Sequence, residues 1–420
     1  MKKGLGQMIY LDEAIKYVEV RKLPTEWRRE WEESFHFYKL KKEECLKPGF
    51  LEEAQQLIGF PEDIYKALKR AYAILRGDPV TQRVVIHCHF LLFRKHDYPI
   101  NALMPWLAVK ERLEGDAGLF PVLILLTGIP HIRNFYEEKQ IPESILKDTL
   151  SDLVIWIKDY QSKYGHFGFN HLFWLMHHFQ GKLFRLGRLQ FVPSSFHGEI
   201  KVYRNLYTGS LKVLSSGGVK FRPDGQVDGT NDIFANDRAW FSIFVEDDES
   251  IQGCPIHPNG YALFERIILP KNTYELELQK DDPVLDVHIP AGERLTRQSC
   301  LDSYHKAVDF FRRYFPEISP KGFSCQSWLL DNQLTKIIPS TSNIVQFQQD
   351  YYGYPFLTDD FQTFERVFGN KPQDYGKVDC KTPLQKSIID FVKKGNNMRM
   401  GAGFFLKKEG PQPGYCPSVE

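Results

Sequence analysis

The sequence predicts an α+β protein: a helical N-terminal domain, then a mixed, mostly antiparallel sheet with flanking helices. Three observations carry this reading. Up to Gly181 the apolar residues recur with a helical period. Beyond it, short runs rich in β-branched and aromatic residues alternate with a period of two. A long amphipathic helix then stands between two strands.

The elements follow in order. LEEAQQLIGF and PEDIYKALKRAYAILRG carry apolar residues at i, i+3, i+4 spacing, and Pro61 opens the second as a good first-turn residue. The run Leu119 to Leu126, LFPVLILL, is far short of the ~20 residues of a membrane span and reads as a buried helix. PESILKDTLSDLVIWIKDYQSKYG starts at Pro142 and stops at Gly165, and NHLFWLMHHFQG ends at Gly181. This makes six or seven helices.

KLFRLGRLQFV, EIKVYRNLY, SLKVLSSGGVKFR, WFSIFVED, GYALFERIIL and PVLDVHIP are the strands, parted by turns such as Thr208-Gly209, Asp224-Gly225 and Asn259-Gly260. TRQSCLDSYHKAVDFFRRYFPE is a helix with Leu301, Tyr304, Ala307, Val308, Phe311 and Phe315 in one stripe. GFSCQSWLLD follows as a strand and NQLTKIIP as a short helix, while NIVQFQQDYY fits either state. TPLQKSIIDFVKKG is the last helix and MRMGAGFFL the last strand. The expected domains are 1–140 and 141–408, with the sheet from about 182, and a mobile tail over 409–420. The strand–helix–strand pattern predicts Leu285–Pro290 parallel to Phe323–Leu330.

Bulk properties narrow the function. A chain of 420 residues suggests two or three domains. Its net charge of +1, with no block of like charge, argues against nucleic acid as a partner. The opening MKKGLGQMIYLDEAIKYVEV reaches acidic residues before any apolar run, unlike a signal peptide. Seven cysteines are scattered without a CxxC pair, which fits reduced thiols in a cytoplasmic protein with no membrane partner. The histidine-rich segments HCHF and HFGFNHLFWLMHH do not match a metal motif. His87 and His89 would share a face only on a strand, and His166 and His171 have no HExxH spacing. No metal is expected.

The informative stretch is Val284 to Asp331. A strand, VLDVHIP, feeds a small-residue loop, AGERLT, and then the long helix. A helix N-terminus presents N–H donors and partial positive charge, so it can hold a diphosphate. Ala291 and Gly292 allow close approach of backbone, Thr296 is an N-cap or a hydroxyl donor, and Arg294 and Arg297 add charge. Alternation puts Leu285, Val287 and Ile289 on one strand face, with Asp286 and His288 on the other. Any strand–loop–helix unit shares this form, so a plain helix cap at Thr296 stands beside the binding role.

FRLGRLQF (184–191), VLDVHIPAGERLT (284–296), the helix start around Ser303, CQSWLLDNQL (325–334) and SNIVQFQ (342–348) together resemble a bacterial family. Its members have an N-acyltransferase N-terminal domain and a GNAT-like C-terminal domain. The likeness runs from about Glu143 to Asp350. The resemblance implies an acyl-CoA-dependent N-acyltransferase, with acyl-CoA bound where two neighbouring parallel strands splay apart and acyl transfer by direct attack of an amine. The loop departs from the (Q/R)xxGx(G/A) pattern of such folds.

On that likeness Ile289, Ala291, Gly292, Arg294, Leu295 and Thr296 would hold the cosubstrate. His288 would act as general base, against a structural histidine; Asp286 would orient it or act through water, against a solvated charge. Ser327 and Cys325 would protonate or contact the departing sulfur, although core packing also explains Cys325. No GxSxG elbow supports a hydrolase. Trp328 and Asp331 would line the acceptor pocket. Arg188 and Gln190 would recognise an acidic acceptor or the acyl carbonyl, against an ion pair for Arg188. The alternative is a GNAT-like binding or structural module without transferase chemistry. The acceptor, acyl chain and oligomeric state stay open.

Overall fold

The structure is a computed structural model that describes residues 9–17, 25–94, 116 and 118–408. The expectations for the opening residues and for the tail from Glu409 lie outside the described residues. The chain divides into two compact units, Met1–Leu186 with Pro290–Gly292, and Gly187–Ile289 with Glu293–Glu420.

The first unit is helical. Its helices are α1 (Leu11–Tyr17), α2 (Thr25–Cys45), α3 (Phe50–Ile58), α4 (Glu62–Gly77), α5 (Pro79–Phe93), α6 (Phe120–Leu126), α7 (Ile129–Glu138), α8 (Glu143–Leu150), α9 (Asp152–Tyr164) and α10 (Leu172–Phe179), followed by strand β1 (Phe184–Leu186). Asp78 caps α5 by accepting from the amides of Val80 and Thr81, with Pro79 in the first turn. HCHF therefore lies on a helix. His87 faces Ser34 at 2.7 Å and His89 faces Thr127 at 2.9 Å, so the two rings serve separate packing contacts. Helix α6 is buried along its whole length. Pro61 and Pro142 stand one position before their helices, in extended backbone.

The single helix expected over 143–164 is two. The Ser151 hydroxyl bonds back to the Asp148 carbonyl at 2.6 Å, and the chain restarts at Asp152. Asp152 is buried and one of its oxygens, Oδ2, accepts from Trp156 Nε1 at 3.0 Å and Trp174 Nε1 at 3.1 Å. His178 Nε2 lies 3.0 Å from the same atom. This carboxylate joins α9 to α10.

The second unit contains strands β2 (Leu189–Ser195), β3 (Ile200–Asn205), β4 (Leu211–Ser215), β5 (Lys220–Phe221), β6 (Trp240–Phe241), β7 (Phe244–Glu246), β8 (Ser250–Gly253), β9 (Ile256–His257), β10 (Tyr261–Ala262), β11 (Ile267–Pro270), β12 (Tyr274–Gln279) and β13 (Pro283–His288). Helix α11 (Arg297–Tyr314), β14 (Gly322–Ser327), α12 (Asn343–Gln348), β15 (Tyr352–Tyr354), α13 (Phe361–Phe368), α14 (Pro383–Lys393) and β16 (Gly401–Leu406) complete it. Its main sheet has the order β2-β13-β14-β16-β15. β2–β13, β14–β16 and β15–β16 are antiparallel, and β13–β14 is parallel, as the strand–helix–strand pattern predicts. The predicted strand over 323–330 ends at Ser327, because Trp328–Leu330 turns into a 3-10 helix capped by the Ser327 hydroxyl. The segment 343–352, open from sequence, is helix α12 followed by a turn into β15.

Thr296 caps α11 by accepting from the amide of Ser299. The buried stripe of α11 is Cys300, Ser303, Tyr304, Ala307, Phe310 and Phe311, rotated from the expected one. Tyr304, common to both stripes, anchors the helix: its ring lies 5.3 Å from Phe323 and 4.9 Å from Phe405, and its hydroxyl bonds Tyr351 at 2.8 Å. The opposite sheet face packs Val284, Tyr354 and Phe404 onto Phe196, Val202, Phe221 and Leu278.

Replacing Asp152 with Ala leaves the half-buried Trp156 and Trp174 Nε1 donors without their acceptor and removes the partner of the buried His178 ring. Breaking such a buried charge network costs about 3–5 kcal/mol. Urea unfolding of the variant should show that loss, and a change below about 1 kcal/mol would mean the carboxylate is not the joint.

Candidate active site

The parallel ladder between β13 and β14 is short. Val284, Leu285 and Asp286 pair with Gly322, Phe323 and Ser324, and there the ladder stops. Both strands continue. Val287 and His288 keep their register with Phe191 and Gln190 of β2, while Cys325, Gln326 and Ser327 keep theirs with β16. The two strands therefore part beyond Asp286 and Ser324, and strand edges that face no strand offer N–H and C=O groups to a ligand.

Asp286 and Ser324 form the last rung of that ladder and share a sheet face. Burial raises the Asp286 carboxyl above its ordinary value, partly offset by hydrogen bonds from Ser194, a nearby His197 charge and a bond from Ser324. His288 follows two residues later on the same face and is half-buried. Tyr354 also belongs to this face, and burial pushes its phenol up to about 12, with Ser324 and Gln326 beside its hydroxyl.

The remaining predicted residues have varied settings. Ser327 Oγ accepts from the Leu329 amide at 3.2 Å. Cys325 is fully buried and its thiol is pushed up by burial. Trp328 packs into a satellite core with Leu334, Phe364 and Ile388. Asp331 is buried, and its carboxylate accepts from the amides of Gln333 at 3.0 Å and Arg399 at 2.9 Å. Burial raises its carboxyl to about 6.

Arg188 is buried; its Nε donates to the Glu293 carbonyl at 2.9 Å, and its backbone amide donates to the Ser303 hydroxyl oxygen at 2.9 Å. It braces the loop ahead of α11. Gln190 is buried in β2 opposite His288. In the loop, Gly292 has φ 127° and open space where a Cβ would stand, and Arg294 is exposed. Arg297 pairs through Nε with the buried Asp350 at 3.2 Å.

A cavity of about 600 Å³ opens at the carboxyl end of β14 and the amino end of β16. Leu330, Asn332, Gln333, Tyr354, Arg399 and Gly401 are among its walls. Gly401 is required there, since a Cβ would collide with the Leu330 carbonyl. Sequence reading missed Ser324, Tyr354 and Arg399. Ser324 was reachable, because a parallel register for the two predicted strands sets it opposite Asp286. Tyr354 and Arg399 reach the site only through the pairing of β15 with β16 and the turn before β16.

Solved structures of acyltransferases share this fold. A mutant acyltransferase in complex with octanoyl-CoA aligns with a TM-score of 0.59 and 21% identity, over 84% of this chain and 87% of that one. An acyltransferase in complex with decanoyl-CoA and teicoplanin aligns with a TM-score of 0.58 and 21% identity, over the same 84% and 87%. None of the curated protein sequences matches the chain. Residues 49–181 match the N-acyltransferase N-terminal domain. Residues 183–405, more than half of the chain, match the GNAT-like C-terminal domain, and the chain belongs to that family.

Proposed function

We propose that this protein transfers an acyl group from acyl-CoA to an amine in a ternary complex. The observation that carries the reading is the parting of β13 and β14 beyond Asp286 and Ser324 in a GNAT-like chain. The acyl-CoA complexes of the structural neighbours support the same donor class. In this scheme the thioester lies in the gap, and its diphosphate meets the backbone between Gly292 and Thr296 at the N-terminus of α11. The amine nitrogen attacks the thioester carbonyl, an N–C bond forms and the C–S bond breaks. Asp286 takes the amine proton, and His288 is the second candidate for that task. The thiolate leaves beside the Ser327 hydroxyl and is protonated from water. The cavity past β14 takes the acceptor.

Calorimetry with decanoyl-CoA tests the donor. Wild type should bind, and Gly292→Val should bind at least about tenfold more weakly, because a β-branched residue resists φ 127° and blocks backbone approach. Equal affinities would move the diphosphate elsewhere, and no binding by wild type would leave the family fold without transferase chemistry.

The pH profile tests the base. A base must be ionised, and the Asp286 carboxyl is raised by burial, so turnover should fall as pH drops through that raised value. Asp286→Asn should lower kcat by about 10²-fold or more and leave decanoyl-CoA affinity nearly intact. If His288→Ala instead removes the acid limb while Asp286→Asn keeps it, the histidine is the base.

A further inference from the structure

The cavity past β14 continues into a second space of about 420 Å³, and Asp224, Gln333 and Arg399 line both. Four cationic side chains border the two spaces, Arg222, Arg238, Lys336 and Arg399, against one bordering carboxylate, Asp224. Arg222 engages Asp224 through Nε and Nη2 at 3.2 and 3.0 Å, so that acid is already matched. Among the described residues Arg238 and Lys336 have no ion-pair partner. With Asp224 matched by Arg222 and Asp331 beside Arg399, Arg238 and Lys336 leave these walls with an excess of positive charge, which concentrates ligands of the other sign.

Arg399 is the central group. Its side chain is only 12% exposed, and its Nη2 donates to Asn332 Oδ1 at 2.6 Å. Its Nε lies 3.9 Å from Asp331, whose oxygens already accept from the amides of Gln333 and Arg399. A guanidinium has five N–H donors in a planar fork; with one on Asn332 and Nε toward Asp331, the remaining N–H groups can meet a planar or tetrahedral anion. Beside it, Gln333 Oε1 is buried with no hydrogen-bond donor, so the wall also lacks a partner that can give a proton. Tyr261, Val345, Phe356 and Met400 supply apolar surface.

We infer that the acceptor is an amine that also carries an acid group, with the acid seated on Arg399 between the rim cations and an N–H or O–H of the same molecule bonding Gln333. This deepens the acyltransferase reading and rests on it. The acid group fixes the molecule at the cavity wall, and its amine is the nucleophile that displaces CoA from the acyl carbonyl.

The test is an acylation assay with decanoyl-CoA and matched acceptor pairs, read by mass spectrometry. The pairs are leucine, phenylalanine and glutamate against their C-terminal amides, and phosphoethanolamine against ethanolamine. Acylation of the acids over their neutral partners is expected, and the two arms tell carboxylate from phosphate. Arg399→Gln should raise the acceptor KM at least tenfold and leave the decanoyl-CoA KM unchanged. Because Arg399 also braces the turn before β16, the exposed Lys336→Ala and Arg238→Ala variants are measured beside it. Each should raise the acceptor KM severalfold, with an effect that shrinks in added salt. Equal use of acids and neutral partners, an unmoved KM in all three variants, or turnover of no acid by protein that binds decanoyl-CoA would overturn the inference. Failure to bind decanoyl-CoA at all would instead overturn the acyltransferase reading, and this inference with it.

Discussion

Two parallel strands that pair for three residues and then part impose most of the order in the second unit. Interrupting a ladder is costly, because backbone groups lose their partners. β13 and β14 withstand it since each remains paired along its outer edge, β13 with β2 and β14 with β16. The bridging helix α11 sets the geometry. Tyr304 packs against Phe191, Phe323 and Phe405, so one ring meets side chains of β2, β14 and β16. Edge-to-face and tilted ring contacts of this kind are rigid, and rigidity is what a preformed cleft needs.

Buried charge completes the frame. Asp350 holds Arg297 at the start of α11, and Asp331 holds the backbone of Arg399 before β16. Burial raises both carboxyls to about 6 from 3.8. A folded value above the unfolded one means that the protonated forms favour the fold. Their stabilising contribution is full below 3.8 and is lost as pH rises through about 6. At neutral pH these acids weigh against stability, which suits groups retained for positioning.

Periodicity made the fold legible. The switch from helical to alternating pattern near Gly181, the Thr296 cap and the parallel pair all follow from local chemistry. The misread elements have local causes of another kind. The chain turns out of helix at Ser151, whose hydroxyl bonds back to the Asp148 carbonyl, and Ser327 ends a strand by capping the next turn. Periodicity does not register either. The stripe of α11 keeps the expected Tyr304, Ala307 and Phe311 but buries Cys300, Ser303 and Phe310 in place of Leu301 and Val308, and Ser303 is drawn in by the Arg188 amide, distant in sequence. The site was half legible. Asp286 and His288 stand on one strand and could be read from alternation, whereas Ser324, Tyr354 and Arg399 join the region through non-local pairing. Trp328, expected at the acceptor pocket, packs against Leu334 and Phe364 once the strand turns at Ser327.

The central claim is that the gap between β13 and β14 is where acyl-CoA lies. Hydrogen exchange of the backbone amides, with and without decanoyl-CoA, tests it directly. The account predicts slowed exchange at Val287 to Ile289 and at Cys325 to Ser327, with the paired stretch Val284 to Asp286 little changed. Protection confined to other segments, with both strand ends exchanging as before, would contradict it.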